Sequence, residues 1–186
     1  MSEFGTFERN TRVVGSALRT LRRAEPEAVV MVGTYGPCAE FIKLAHKSGF
    51  NPIFVNVSFV GASALAKELG PEGNGVIVSQ VVPFPWDASV KVVADYQAAE
   101  KALDPNLKPD FVSLEGYLSG RLVAAVLELA GPDPTRAGML RLINDIGRFD
   151  ISGDIMTFGP KAQDAPTKVF LTVIQPDGTF KAVEKL

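Results

Sequence analysis

The chain has 186 residues, is 46% hydrophobic and 22% charged, and carries a formal net charge of −2. This is enough apolar material for a buried core in one domain or two small lobes. The charge balance argues against the electrostatic footprint of a nucleic-acid or anionic-membrane binder.

A single cysteine, Cys38, rules out an intramolecular disulfide, and no apolar run approaches the ~18 residues of a membrane-spanning helix. The opening MSEFGTFERN lacks the basic-then-apolar pattern of a signal peptide. The residues alone therefore point either to a cytosolic protein or to an exported one cut down to a fragment.

In chain order, Thr11 to about Ala24 carries Val13, Val14, Ala17, Leu18 and Leu21 on one helical stripe. Arg9, Arg12, Arg19, Arg22 and Arg23 crowd this helix. With Glu8, Glu25 and Glu27 flanking it, they read as a solvated face. Ala28–Val32 reads as an apolar strand covered on both faces, as in a parallel sheet. The next helix has Pro37 in its first turn, Cys38, Phe41, Ile42 and Ala45 as its stripe, and Gly49 as its stop. Ile53–Val57 reads as a strand, Ala62–Leu69 as a helix ended by Gly70, and Gly75–Val82 as a third strand. This βαβαβ grammar predicts a right-handed parallel α/β arrangement.

After Val82 the pattern changes. Pro83-Phe84-Pro85-Trp86 is stiff and extended, and helices are expected near Ala88–Leu103, Ser113–Ala130 and Thr135–Ile146. Leu114, Leu118, Leu122, Val126 and Leu129 form the stripe of the middle helix. Two β-type runs follow, Ile155–Phe158 and Val169–Gln175. Pro176-Asp177-Gly178 then turns the chain into Thr179–Val183 to close a hairpin.

Ligands of open α/β sheets sit at the carboxyl ends of strands, beside helix N-termini. The first strand ends at Gly33, followed by Thr34, Tyr35, Gly36 and Pro37. The second ends at Asn56, followed by Val57, Ser58 and Phe59. Hydroxyls and aromatic faces at two neighbouring strand ends suit one wall of a small-molecule cleft.

Other chemistry is sparse. His46, the only histidine, reads as a surface residue, and Cys38 as a buried structural thiol despite its place at a helix N-terminus. No CxxC, HExxH, GxGxxG, GxxxxGK[ST] or GxSxG pattern occurs. No metal site, cofactor or catalytic residue is therefore expected. Asp150 and Asp154, around Gly153, fit a turn better than an acid/base pair. Trp86 reads as packing before cleft lining, and Glu115 is undecided between solvent and an inter-lobe contact.

Five segments in this order and spacing carry a resemblance. They are PEAVVMVGTYGPCAEFIKLAHKSGF, NPIFVNVSFVGASALAKELG, GVIVSQVVPFPWD, DFVSLEGYLSGRLVAAVLELAG and VFLTVIQPDGTFKAV. The chain resembles the C-terminal half of the periplasmic leucine/isoleucine/valine-type solute-binding proteins of ABC transporters. The resemblance implies part of a two-lobed periplasmic-binding-protein fold, with a parallel sheet, crossover helices and a C-terminal hairpin. Residues 1–80 would be second-lobe α/β structure, 81–148 a crossover and helices returning to the first lobe, and 149–186 a hairpin returning to the second.

The resemblance also implies ligand contacts at Gly33, Thr34, Tyr35, Ser58 and Phe59, and a hinge at Gln80, Val81, Val82 and Pro83. Partners would be a small amino acid, organic acid or amide and an ABC permease, and the location periplasmic. Ser58 stands where amino-acid binders of the family place an acidic residue for the ligand's ammonium. The first-lobe sheet and the opening second-lobe strand have no counterpart here, so the chain reads as a fragment whose uncovered middle helix would drive self-association. An enzyme on a nucleotide-binding-like α/β fold, or an interaction or sensor subunit, is the alternative.

Overall fold

The computed structural model describes residues 3–159 and 168–183. The chain divides into two compact units, Met1–Val81 with Val169–Leu186, and Val82–Lys168. The first contains a mixed five-stranded sheet in the order β1 (Ala28–Met31), β2 (Ile53–Asn56), β3 (Ile77–Gln80), β6 (Phe170–Ile174), β7 (Phe180–Val183). β1, β2 and β3 are parallel, whereas β6 runs antiparallel to β3 and β7 to β6.

Alternation decides which face of this sheet is buried. Val29 and its register partner Phe54 are buried, and Phe54 meets the ring of Phe41 edge-on at 6.3 Å. Phe41 belongs to α2 (Tyr35–Lys47), which packs beside α1 (Gly15–Ala24) and α3 (Ala62–Leu69). The opposite positions are open: Val30 is 69% and Val32 71% exposed. The expectation that the first strand is covered on both faces is therefore corrected. β1 is an edge strand of this unit, and only its α2-facing side is packed.

Local signals explain where the elements start and stop. α1 begins at Gly15 rather than Thr11, because a turn precedes it: Thr11 N–H and its hydroxyl both reach Glu8 O, with Asn10 at φ 61°. Arg9 and Arg12 therefore lie before the helix, not on it. The hairpin β6–β7 closes where expected. Asp177 Oδ1 accepts the Thr179 N–H at 3.0 Å and its hydroxyl at 2.6 Å, and Gly178 takes φ 80°. These bonds hold the Asp177 carboxyl below its ordinary range.

The second unit holds α4 (Lys91–Leu103), α5 (Phe111–Ala130), α6 (Arg136–Ile146) and a two-stranded sheet of β4 (Arg148–Ile151) and β5 (Asp154–Thr157). α4 starts three residues later than the pattern predicts, since Asp87 Oδ1 holds the Ser89 N–H and hydroxyl in a turn. α5 starts two residues earlier, because Asp110 caps it by accepting the Val112 N–H at 2.9 Å. Leu114, Leu118 and Val126 of α5 are buried, with α4, α6 and β4 packed beside the helix. The stripe expected to stand uncovered is thus largely covered from within its own unit, although Leu129 at its end is exposed.

β4 is absent from the sequence reading. It forms because Ser152 and Gly153, at φ 54° and 89°, make the tight turn that a two-residue hairpin needs. Asp150 Oδ1 accepts the Gly153 N–H at 2.6 Å, so this carboxylate serves the turn. The compact units divide after Lys168, and the β4–β5 hairpin falls in the second of them; the segment 149–186 runs across this boundary. Residues 160–167 and 184–186 of that segment lie outside the described residues.

Candidate functional site

Parallel pairing of β1 and β2 brings their carboxyl ends side by side, with Met31 opposite Asn56. The Val57 N–H extends the ladder to Met31 O at 3.4 Å. Beyond Met31 the chain turns through buried Gly33 into α2. Thr34 is the N-cap residue, with extended backbone and a hydroxyl that makes no capping bond. Tyr35 opens the helix and is 43% exposed. Beyond Asn56, Ser58–Val60 form a single 3₁₀ turn, and Gly61 at φ 75° redirects the chain into α3. Phe59, at the crest of that turn, is 67% exposed.

Gly33, Thr34, Tyr35 and Phe59 line one cavity of about 1100 Å³. Ser58, which is half-buried, is not part of this lining. The rest of the lining comes from residues 5–7 and 9–12, including Phe7, Arg9, Asn10 and Arg12, with Val32, Gly36 and Pro37. Two glycines here are closely approached by side chains. A Cβ on Gly33 would lie 3.0 Å from Cys38 Sγ and 3.2 Å from the Phe7 ring. One on Gly36 would lie 3.2 Å from Arg12 Nε. No apolar period marks residues 5–10, and the pattern of α1 reads as helix from Thr11, so spacing alone does not bring this segment to the strand ends. The Asn10-Thr11 pair, two residues that favour turns and caps, is the signal that marks the break.

Two arginines, Arg9 and Arg12, lie on this wall. Arg12 Nη1 pairs with Glu68 Oε1 at 2.5 Å, which raises the arginine's pKa and lowers that of the carboxylate. At the end of β2, Asn56 is fully buried, and neither its Oδ1 nor its Nδ2 has a hydrogen-bond partner among the described residues.

The other sequence candidates are placed elsewhere. Cys38 is buried and its thiol is pushed up to about 11 by loss of solvent. His46 is half-buried. It rests edge-on against Phe54 at 5.5 Å, with Nδ1 3.6 Å from Glu72 Oε2. Among the described residues, no group of three or more His, Cys, Asp and Glu could hold a metal ion. None of their helices is long and apolar enough to cross a membrane.

At the crossover, Gln80 ends β3 and is buried, and its Nε2 donates to Thr172 Oγ1 at 3.2 Å, which in turn donates to Val78 O. Val81 is exposed and Val82 buried, and the boundary between the two compact units falls between them. Trp86 packs at 4.9 Å from Phe84 and 5.4 Å from Phe111, so it anchors the start of the second unit.

A parallel-containing sheet with its helices, a strand-end cleft and C-terminal antiparallel strands is the lobe of a periplasmic-binding-protein fold. The periplasmic binding protein family matches residues 7–179, and the chain belongs to it. A solved structure from Rhodopirellula baltica SH 1, described as a possible leucine/isoleucine/valine-binding protein, is 37% identical with a TM-score of 0.84, over 96% of this chain and 49% of that one. An extracellular ligand-binding receptor from Verminephrobacter eiseniae is 26% identical with a TM-score of 0.70, over 88% and 49%. A substrate-binding periplasmic protein from Ralstonia solanacearum, 24% identical with a TM-score of 0.81 over 95% and 51%, shares the fold. The chain thus spans about half the length of these structures. No curated protein matches it.

Proposed function

We propose that the chain is the ligand-binding part of a solute receptor serving an ABC transporter outside the cytoplasm, in the periplasm where there is an outer membrane. In this reading it binds a small amino acid, organic acid or amide and does not turn it over. The observation that carries this is the meeting of Gly33, Thr34, Tyr35 and Phe59 on one cavity wall at the β1 and β2 ends, in a chain of this family. Aromatic faces hold the ligand's apolar body, while the Thr34 hydroxyl and the N–H groups of the α2 first turn meet its polar end.

The crossover at Gln80–Pro83 acts as a hinge. The buried Gln80–Thr172 bond fixes the β3 end, so that rotation is confined to the residues beyond it. Ligand then shifts the population toward a closed form by contacts made only there. Neither an enzyme nor a pure interaction subunit is favoured, because the polar groups converge on a cavity without a paired acid, base or nucleophile.

Calorimetric titration with branched-chain amino acids and their carboxylic acids tests the reading. Tyr35→Ala and Phe59→Ala should each weaken binding by roughly tenfold with little loss of stability, as exposed aromatics at a cleft do. Ser58→Ala should have the smaller effect. Unchanged affinity in both aromatic variants would remove the strand ends from the site.

A further inference from the structure

Among the described residues lining the strand-end cavity, two are arginines and none is acidic. Arg9 and Arg12 come from the turn before α1, and that turn is held by its own bonds. Thr11 N–H and Oγ1 donate to Glu8 O at 3.2 and 2.8 Å, and Thr11 Oγ1 accepts the Val13 N–H at 3.3 Å. The guanidinium of Arg12 lies across Gly36, with Nε, Nη2 and Cζ nearly equidistant from where a Cβ would stand. Gly36 leaves room for this close approach in the first turn of α2. The Glu68 ion pair engages Nη1. The Nε–Nη2 edge is the fork that binds a carboxylate through two parallel hydrogen bonds. Glu8, Glu40 and Glu68 are the acids nearest this segment in sequence or in field, yet none lines the cavity.

We propose that Arg9 and Arg12 form an anion-binding wall of this cavity, and that its ligand is an organic acid held by its carboxylate. This deepens the ligand-site reading above and rests on it. Tyr35 and Phe59 flank the acid's apolar body. The α2 first-turn amides add donors of the same sign. The described lining holds no carboxylate for an ammonium, so an α-amino group brings no gain.

The test is calorimetric titration of the intact chain with 4-methylpentanoate, 4-methylpentanamide and leucine. The carboxylate should bind ~10-fold tighter than the uncharged amide, as charge-assisted bonds to arginine require, and leucine no tighter than the carboxylate. Arg9→Gln and Arg12→Gln should each bring the carboxylate and amide affinities together. Glu68→Gln removes the partner of Arg12 but keeps the arginine, so it should retain or tighten carboxylate binding.

Equal binding of amide and carboxylate, no carboxylate binding by the parent chain, or a Glu68→Gln loss as large as that of Arg12→Gln would overturn the inference. Binding that falls with Tyr35→Ala but ignores both arginine variants would overturn it while leaving the strand-end site in place. Binding that falls with the arginine variants but is unchanged in both Tyr35→Ala and Phe59→Ala would remove the strand ends from the site, and with them the reading on which the inference rests.

Discussion

Two forces act in opposite directions on the Cys38 thiol. It sits in the first turn of α2, where the helix dipole favours a thiolate. It is also buried against Gly33 and the sheet, and burial wins, moving its pKa from an ordinary 9.0 to about 11. The folded chain should therefore resist iodoacetamide at pH 8 and react only after denaturation; stoichiometric labelling of the native chain would contradict this. The sign for stability follows from linkage. A thiol with a raised folded-state pKa contributes fully below its unfolded value and loses that contribution as pH climbs through the folded one. Urea midpoints of the parent should fall between about pH 9 and 11, relative to Cys38→Ser, in which that titration is absent.

At the scale of elements, hairpins and caps carry the definite predictions. Gly178 holds φ 80° in the β6–β7 turn, so Gly178→Ala should cost roughly 1 kcal/mol, measured as a shift in the urea midpoint with unchanged slope. An unshifted midpoint would mean that the turn tolerates a side chain. Asp110 caps α5, and Asp110→Ala should cost about 1 kcal/mol on the same measurement.

The same elements show what the sequence makes legible. α2, β2 and the β6–β7 hairpin each combine a periodic apolar pattern with a stop signal, so residue spacing alone places them within a residue or two. β4 has only four residues, and their alternation becomes readable once Ser152-Gly153 is seen as a hairpin turn. The strand-end residues Thr34, Tyr35 and Phe59 were legible because an α/β sheet sends such positions to its carboxyl edge. Arg9 and Arg12 were not, because arginines beside an amphipathic helix and flanking glutamates read as a solvated face. Burial of the α5 stripe was misjudged for a different reason. Periodicity identifies a face that must be covered but not which element covers it, and here α4, α6 and β4 do so.

At the scale of the whole molecule, apolar side chains remain exposed on both compact units, each described separately. On the first they include Val30, Val32 and Ile53; on α5 of the second, Val112, Val123 and Leu127 fall on one stripe. Each forgoes part of the roughly 1.5–3 kcal/mol that full burial of such a side chain brings, and patches of this kind mark association surfaces. The isolated chain should self-associate at micromolar concentration in size exclusion with light scattering, and Val123→Asp with Leu127→Asp should shift it toward monomer. A monomeric parent chain would contradict this.

The central claim is that ligand binds at the joined ends of β1 and β2. Backbone amide shifts of the isotope-labelled chain, followed through a titration with 4-methylpentanoate, test it most directly. The account predicts saturable changes at Arg9–Arg12, Gly33–Gly36 and Ser58–Val60. Saturable changes confined to other residues, or none at any concentration, would contradict it.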